Sequence, residues 1–182
     1  LHKEDFQAVD IASIAVPVSK MAMTVLEPGQ VPGVFQKAFH LMRSGRPGPV
    51  LVDIPQDLSR ADIEYEPITE KPTLPGYKPS TEGNIKQIRL AAKALANASR
   101  PVIYAGGGVI NANASQELRD LCLADNFPVT CTVMGLGSFP AGHEQWLGML
   151  GMHGTRTANY AMDEADLIVA IGARFDDRIT GK

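Results

Sequence analysis

Val102-Ile103-Tyr104-Ala105-Gly106-Gly107-Gly108-Val109 runs from a short apolar stretch straight into three glycines. This is the pattern of a buried strand ending in a bare-backbone turn, where the missing Cβ lets another backbone or a ligand approach closely. On its N-terminal side Asn84 is a plausible N-cap for a helix whose Ile85, Ile88, Ala91, Ala92 and Leu95 share one face, ending before Arg100-Pro101. On its C-terminal side a helix is expected from about Ala114 to Ala124, with Leu118, Leu121 and Cys122 inward. Pro128 to Val133 reads as the next strand, with Met134-Gly135-Leu136-Gly137 as its exit. A second glycine turn, Leu150-Gly151-Met152-His153-Gly154-Thr155, precedes a short helix over Ala158 to Met162, and Asp166 to Gly172 is a further strand that leads to Ala173-Arg174. Strand, helix, strand, helix, strand with right-handed crossovers predicts an α/β fold with a doubly wound parallel sheet.

Upstream, Val31, Val34, Phe35, Ala38, Phe39, Leu41 and Met42 recur at helical spacing until Ser44-Gly45, and Pro47-Gly48-Pro49 turns the chain into the apolar strand Val50 to Ile54. A helix feeding a buried strand is the ordinary step of a parallel sheet, so a separate α/β piece precedes the glycine-rich one. Between them, prolines 67, 72, 75 and 79 interrupt a polar stretch without apolar period, which predicts an extended linker. The expected organisation is residues 1–58, a linker over 59–83 and a second domain over 84–182.

With 182 residues, 45% of them hydrophobic, the chain has enough apolar material for a real core. A net charge of -3 and scattered basic residues give no attraction for nucleic acid. No stretch approaches the ~20 apolar residues of a membrane span. Cys122 and Cys131 show neither zinc spacing nor a disulfide framework, so a reducing, cytoplasmic compartment is expected. Leu1-His2-Lys3 and the stop after Gly181-Lys182, just past a strand, read as the boundaries of a fragment.

Three glycine turns at strand ends point to a nucleotide-type cofactor, because ligands of open α/β sheets sit at the carboxyl ends of strands. The same glycines also suit purely steric turns. Gly106-Gly107-Gly108 is not the G-x-G-x-x-G fingerprint, since Asn111 stands where a third glycine is needed and no acidic residue ends the following strand; NAD is disfavoured. A Walker-type loop is absent as well. His153, between glycines at a strand end, can reach a ligand through either ring nitrogen, yet it has no carboxylate partner in the sequence and is not proposed as a base. Arg46, locked between Gly45 and Pro47, suits a phosphate, a carboxylate or a structural ion pair. Asp176, Asp177 and Arg178 could face a substrate, but adjacent Asp residues on a loop do not make a metal site. Met134, Met149 and Met152 are core filler or thioethers that pack on a planar ring.

Phe6-Gln7, the run Ser44 to Pro55, Gly106 to Ile110, Leu150 to Thr155 and Gly172-Ala173-Arg174-Phe175-Asp176-Asp177-Arg178, taken in order, resemble the catalytic subunit of acetolactate synthase, a thiamine-diphosphate enzyme. The resemblance implies that residues 1–58 are the C-terminal part of a pyrimidine-binding domain and 84–182 an incomplete central domain of the FAD-binding type. It implies FAD lined by Arg46, Gly106, Gly107, Gly108, Thr132, Val133, Met134, Leu150, Gly151, Met152, His153, Gly154, Thr155, Gly172, Ala173 and Arg174. Phe6, Gln7, Met152, Asp177 and Arg178 would face the second substrate, a 2-keto acid, with Arg178 the partner of its carboxylate. Thiamine diphosphate and Mg2+ belong to the full-length parent; no residue of this chain corresponds to the activating glutamate or to the Gly-Asp-Gly motif, so neither catalytic nor metal-binding residues are assigned. A homo-oligomer and a regulatory subunit are implied for that parent.

Two departures stand out. Gln56 replaces the family's usual lysine in the Pro-Lys-Asp segment, removing a positive charge. Leu1 to Ile11 and Phe39 to Ser44 look more like glyoxylate carboligase, a sister enzyme, whereas the match from Gly76-Tyr77-Lys78-Pro79 onward is with acetolactate synthase. A non-catalytic nucleotide-binding module is the alternative from a different class.

Overall fold

The structure is a computed structural model that describes residues 8–180. The chain forms two compact units, Leu1–Gly83 and Asn84–Lys182. Phe6 and Gln7 lie outside the described residues.

In the first unit Asp10 caps the short helix α1 (Ile11–Ala15), its carboxylate accepting from the Ser13 N–H at 3.0 Å. Strand β1 (Met21–Thr24) pairs in parallel with β2 (Val50–Asp53), and α2 (Val31–Arg43) connects them. The sequence predicts α2 and β2 but not β1, because Met21-Ala22-Met23-Thr24 has a single β-branched residue and no alternation that marks a strand. Its extended form comes from the pairing, which continues at both ends through Lys20 N–H to Pro49 O and Val25 N–H to Asp53 O. Helix α2 buries Ala38 and Leu41, while Phe35 and Phe39 of its predicted apolar stripe are exposed. Beyond the turn Leu58–Arg60 the proline-rich stretch carries no helix or strand, yet it is not detached from its own unit. Gln36 donates to the carbonyls of Ile68 and Glu70, and Tyr77 packs edge-on against His40. Prolines remove donors from this stretch but leave its carbonyls to accept.

The second unit is a four-stranded, all-parallel sheet in the order β5-β4-β3-β6. It opens with α3 (Ile85–Asn97), whose cap Asn84 accepts from the N–H groups of Lys86 and Gln87. There follow β3 (Pro101–Ala105), α4 (Gly107–Asn111), α5 (Ser115–Ala124), β4 (Val129–Cys131), β5 (Trp146–Met149), α6 (Arg156–Glu164), β6 (Leu167–Ile171) and the single turn α7 (Asp177–Thr180). Leu95, Ile103, Ala105, Val109, Leu118, Cys122, Phe127, Val129, Cys131 and Phe139 form the core, with Trp146 stacked on Phe139.

Strand β5 is an addition to the predicted set. Its signal is broken by Gly148, which has φ +90° and sits at a register shift opposite Val129 and Thr130. A side chain at Gly148 would collide with the Thr155 methyl, while the Thr155 hydroxyl donates to the Leu147 carbonyl freed by the irregularity. Helix α3 forms as expected, but of the face shared by Ile85, Ile88, Ala91, Ala92 and Leu95 only Leu95 is buried, and the other four are exposed. The helix contacts β6, the edge strand, so most of its stripe has no sheet beneath it. Among the described residues no helix is long and apolar enough to cross a membrane.

Candidate functional site

The chain runs β3 to β4 to β5 in one direction across the sheet, then returns to place β6 on the other side of β3. The direction therefore reverses between β3 and β6, and in open α/β sheets the crevice for a ligand lies at the carboxyl ends of the strands flanking that reversal. Gly106–Gly108 leave β3 there, and Gly172–Arg174 leave β6.

These loops lock onto one another. Gly106 N–H donates to Ile171 O at 2.9 Å and Gly108 N–H to Gly172 O at 3.0 Å. A Cβ on Gly106 would fall on the Gly172 carbonyl oxygen, one on Gly108 would come within 2.7 Å of Gly172 Cα, and one on Gly107 within 2.9 Å of Met134 Cβ. Gly172 itself has φ +62°. The triplet is thus required by backbone packing between three loops, whatever else it contacts. Helix α4 spans only five residues, and its cap Gly106 offers no side chain to its first turn.

The β4 exit is fixed by Thr132, whose N–H donates to Ala105 O and whose hydroxyl accepts from Gly135 N–H at 3.0 Å. Val133 and Met134 project from this turn into solvent, Met134 with 73% exposure. After β5, Leu150 is buried and donates its N–H to Cys131 O, while Gly151 (φ +103°) and Gly154 close a tight turn through Gly154 N–H to Gly151 O. A Cβ on Gly154 would strike the Met149 carbonyl oxygen. Met152 and His153 are exposed at its tip. Thr155 caps α6, accepting from Ala158 N–H, so its hydroxyl is already engaged on both sides.

Past Gly172, Arg174 and Phe175 are exposed. Asp176 caps α7 by accepting from Arg178 N–H at 3.1 Å, and Ile179 reaches the space beside Gly151 that a Cβ there would fill. Asp177 and Arg178 are exposed on this turn, next to the Gly151 to Gly154 loop. The candidates of the second unit thus gather at one end of one sheet. Arg46 is exposed in the first unit, on the turn that follows α2.

The sequence reading missed two supports of this edge. Asn159 donates to Gly151 O at 3.1 Å and accepts from Gly151 N–H at 3.2 Å, fastening the Met152-His153 turn to α6. Its only sequence signal is an Asn one helical turn after the cap Thr155. Tyr104 is fully buried at the end of β3, its ring 5.6 Å from that of Phe175, and its hydroxyl has no hydrogen-bond partner. Burial, then the nearby Asp176 carboxylate, pushes its pKa above the usual tyrosine value.

The edge offers backbone turns, exposed apolar side chains at Val133, Met134, Met152 and Phe175, and the exposed guanidinium of Arg174. Apolar surface for a planar ring and a cation for a phosphate at a switch point fit a flavin nucleotide. Among the described residues no group of three His, Cys, Asp or Glu could hold a metal ion. A cavity of about 480 Å3, lined by Ser99, Arg100, Asp125, Phe127 and Glu164 among others, lies at the opposite, amino-terminal ends of β3 and β4.

Comparison with known proteins agrees with this architecture. The chain is 48% identical over 183 residues to the probable acetolactate synthase large subunit of Methanocaldococcus jannaschii, covering all of this chain and 31% of that protein. It is 46% identical over 181 residues to the acetolactate synthase large subunit of Corynebacterium glutamicum, covering all of this chain and 29% of that protein. It is 52% identical over 182 residues to the glyoxylate carboligase of Escherichia coli, covering all of this chain and 30% of that protein. The chain thus spans under a third of the length of these relatives. Residues 88–182 match the family described as thiamine pyrophosphate enzyme, central domain. The chain therefore belongs to the thiamine pyrophosphate enzymes and carries their central domain.

Proposed function

We propose that this chain is the flavin-holding part of a thiamine-diphosphate carboligase of the acetolactate synthase type, which decarboxylates pyruvate and joins the two-carbon unit to a second 2-keto acid. The observation that carries the proposal is the convergence of the β3, β4, β5 and β6 exits at the switch point of a sheet in that family. Gly106–Gly108, Thr132–Met134, Leu150–Thr155 and Gly172–Arg174 would contact FAD, chiefly through backbone groups, with Arg174 supplying charge. Met134 and Met152 are the natural surfaces for a planar ring. Arg46 is proposed as a further phosphate contact. Met152, Asp177 and Arg178 would face the second substrate, Arg178 meeting its carboxylate; Phe6 and Gln7 stay proposals from sequence alone.

When bound, thiamine diphosphate supplies the carbanion chemistry, and these residues supply position and charge. Its Mg2+ is proposed to belong, with thiamine diphosphate, to the full-length parent. The relatives named as large subunits support a multi-subunit parent, with homo-oligomerisation and a regulatory partner as parts of the proposal. A cytoplasmic location is proposed with it.

Glyoxylate carboligase is a second reading, favoured by the 52% identity to that enzyme. The test is an assay of the whole protein with pyruvate and with glyoxylate as sole substrates. Acetolactate formation supports the first reading, tartronate semialdehyde from glyoxylate the second, and neither product with thiamine diphosphate, FAD and Mg2+ supplied sinks both. The 182-residue chain alone is expected to be inactive.

A further inference from the structure

Lys20 precedes β1, yet its ammonium group is spent at the far end of α2. Nζ lies 2.7 Å from Leu41 O, 2.6 Å from Ser44 O, 3.0 Å from Arg46 O and 2.8 Å from the Tyr77 hydroxyl. An ammonium has three N–H groups, so four oxygens at these distances saturate it. The carbonyls belong to the last turn of a helix and the loop beyond, where acceptors lack intrahelical donors and the helix dipole favours a cation.

Tyr77 closes the arrangement from the other side. Its hydroxyl accepts from Lys20 and donates to Ser44 O at 2.8 Å, with Ser44 Oγ 3.0 Å away, while its ring packs edge-on against His40. Gly45 sits under it with φ +56°, and a Cβ there would be 2.9 Å from the Tyr77 oxygen. Pro47 restricts the backbone of Arg46 on its other flank. Three consecutive residues, Ser44 to Arg46, are thus fixed by a lysine 24 to 26 positions upstream and a tyrosine 33 positions beyond Ser44. A surface turn that merely joined a helix to a strand would have no need of this.

We propose that Lys20 and Tyr77 are positioning residues for Arg46: they clamp the Ser44–Arg46 turn so that the guanidinium leaves it in one direction, ready for an anion. The functional part of this rests on the reading of Arg46 as a flavin phosphate contact. Preorganisation of this kind lowers the ordering cost that a flexible arginine carries into binding.

The test uses Tyr77→Phe, which keeps the ring on His40, and Lys20→Met, which keeps the aliphatic stem. Amide exchange at Ser44, whose N–H donates to His40 O at 3.1 Å at the start of the turn, is expected by NMR to quicken about tenfold or more in both variants, since each removes bonds of ordinary strength from the turn. In the whole protein, Tyr77→Phe is expected to weaken FAD binding about fivefold to tenfold in the wild-type background and not at all in Arg46→Ala, the coupling expected of residues acting as a unit. Unchanged exchange at Ser44 overturns the clamp, and an equal effect of Tyr77→Phe with and without Arg46 overturns the positioning role. Unchanged FAD affinity in Arg46→Ala overturns instead the reading of Arg46, while the exchange data still decide the clamp. Fluorescence of Trp146 in the 182-residue chain, where it is the sole tryptophan, checks the second unit's fold in every variant.

Discussion

Asp166 stands at the entry to β6, and its carboxylate accepts from Ser99 N–H at 2.7 Å and Arg100 N–H at 2.9 Å, while its own N–H donates to Arg100 O. One residue therefore staples the starts of β6 and β3. The Ser99 N–H, then that of Arg100, holds its pKa below the ordinary carboxylate value of 3.8. A carboxylate whose folded pKa is depressed gives stability that is complete above its unfolded value and drains as pH falls through the folded one. Urea midpoints measured against pH should thus fall below pH 3.8 in the wild type. They should fall less in Asp166→Asn, which starts lower at neutral pH; parallel profiles would show that the Asp166 carboxylate contributes no such stability. The residue type of the glycines made them visible in the sequence, but it could not say whether the space beside each would hold a ligand or a neighbouring backbone. For Gly106, Gly108 and Gly172 the neighbours are one another's loops.

Elements formed where the local pattern and the tertiary setting agreed. Asn84 before an amphipathic run, and Val102 to Ala105 before glycines, gave α3 and β3 close to their expected limits. The misses follow from setting: β1 is extended because β2 pairs with it, and β5 carries a positive-φ glycine that interrupts its pattern. Helix α3 shows the limit of periodicity as a guide to burial, since the stripe exists but only Leu95 reaches the core. Leu95→Ala should accordingly cost about 2–5 kcal/mol in urea unfolding, and Ile88→Glu should stay within about 0.5 kcal/mol of wild type. A large loss from Ile88→Glu would mean that α3 lies against something more than β6. The free side of β6 belongs to the same picture. Ile171 O is taken by Gly106, and by alternation the N–H and C=O of Ile168 and Ala170 point away from β3; both residues are exposed.

At the scale of the molecule the two units differ in how much they bury. The first holds Ala15, Val25, Ala38 and Leu41 around a two-stranded sheet, whereas the second has a ten-residue core under four strands. A small core on a two-stranded sheet is marginal. The first unit should therefore unfold at lower denaturant, giving a far-UV CD transition that precedes the loss of native fluorescence from Trp146, the sole tryptophan. Coincident curves would show that the units unfold as one. The C-terminal edge of the second unit was legible from its glycine turns, and the order of its strands then located the switch point that a one-dimensional reading could not. Asn159 and Tyr104, which brace that edge, escaped notice because their partners lie across turns and loops. This edge is proposed to hold a flavin nucleotide. The most direct test is titration of FAD and of NAD into the whole protein, wild type and Arg174→Ala, followed by flavin fluorescence and calorimetry. Saturable FAD binding that weakens about tenfold in Arg174→Ala, the loss of one charge-assisted contact, is expected, with NAD far weaker. FAD that fails to saturate, or NAD that binds more tightly than FAD, would contradict it.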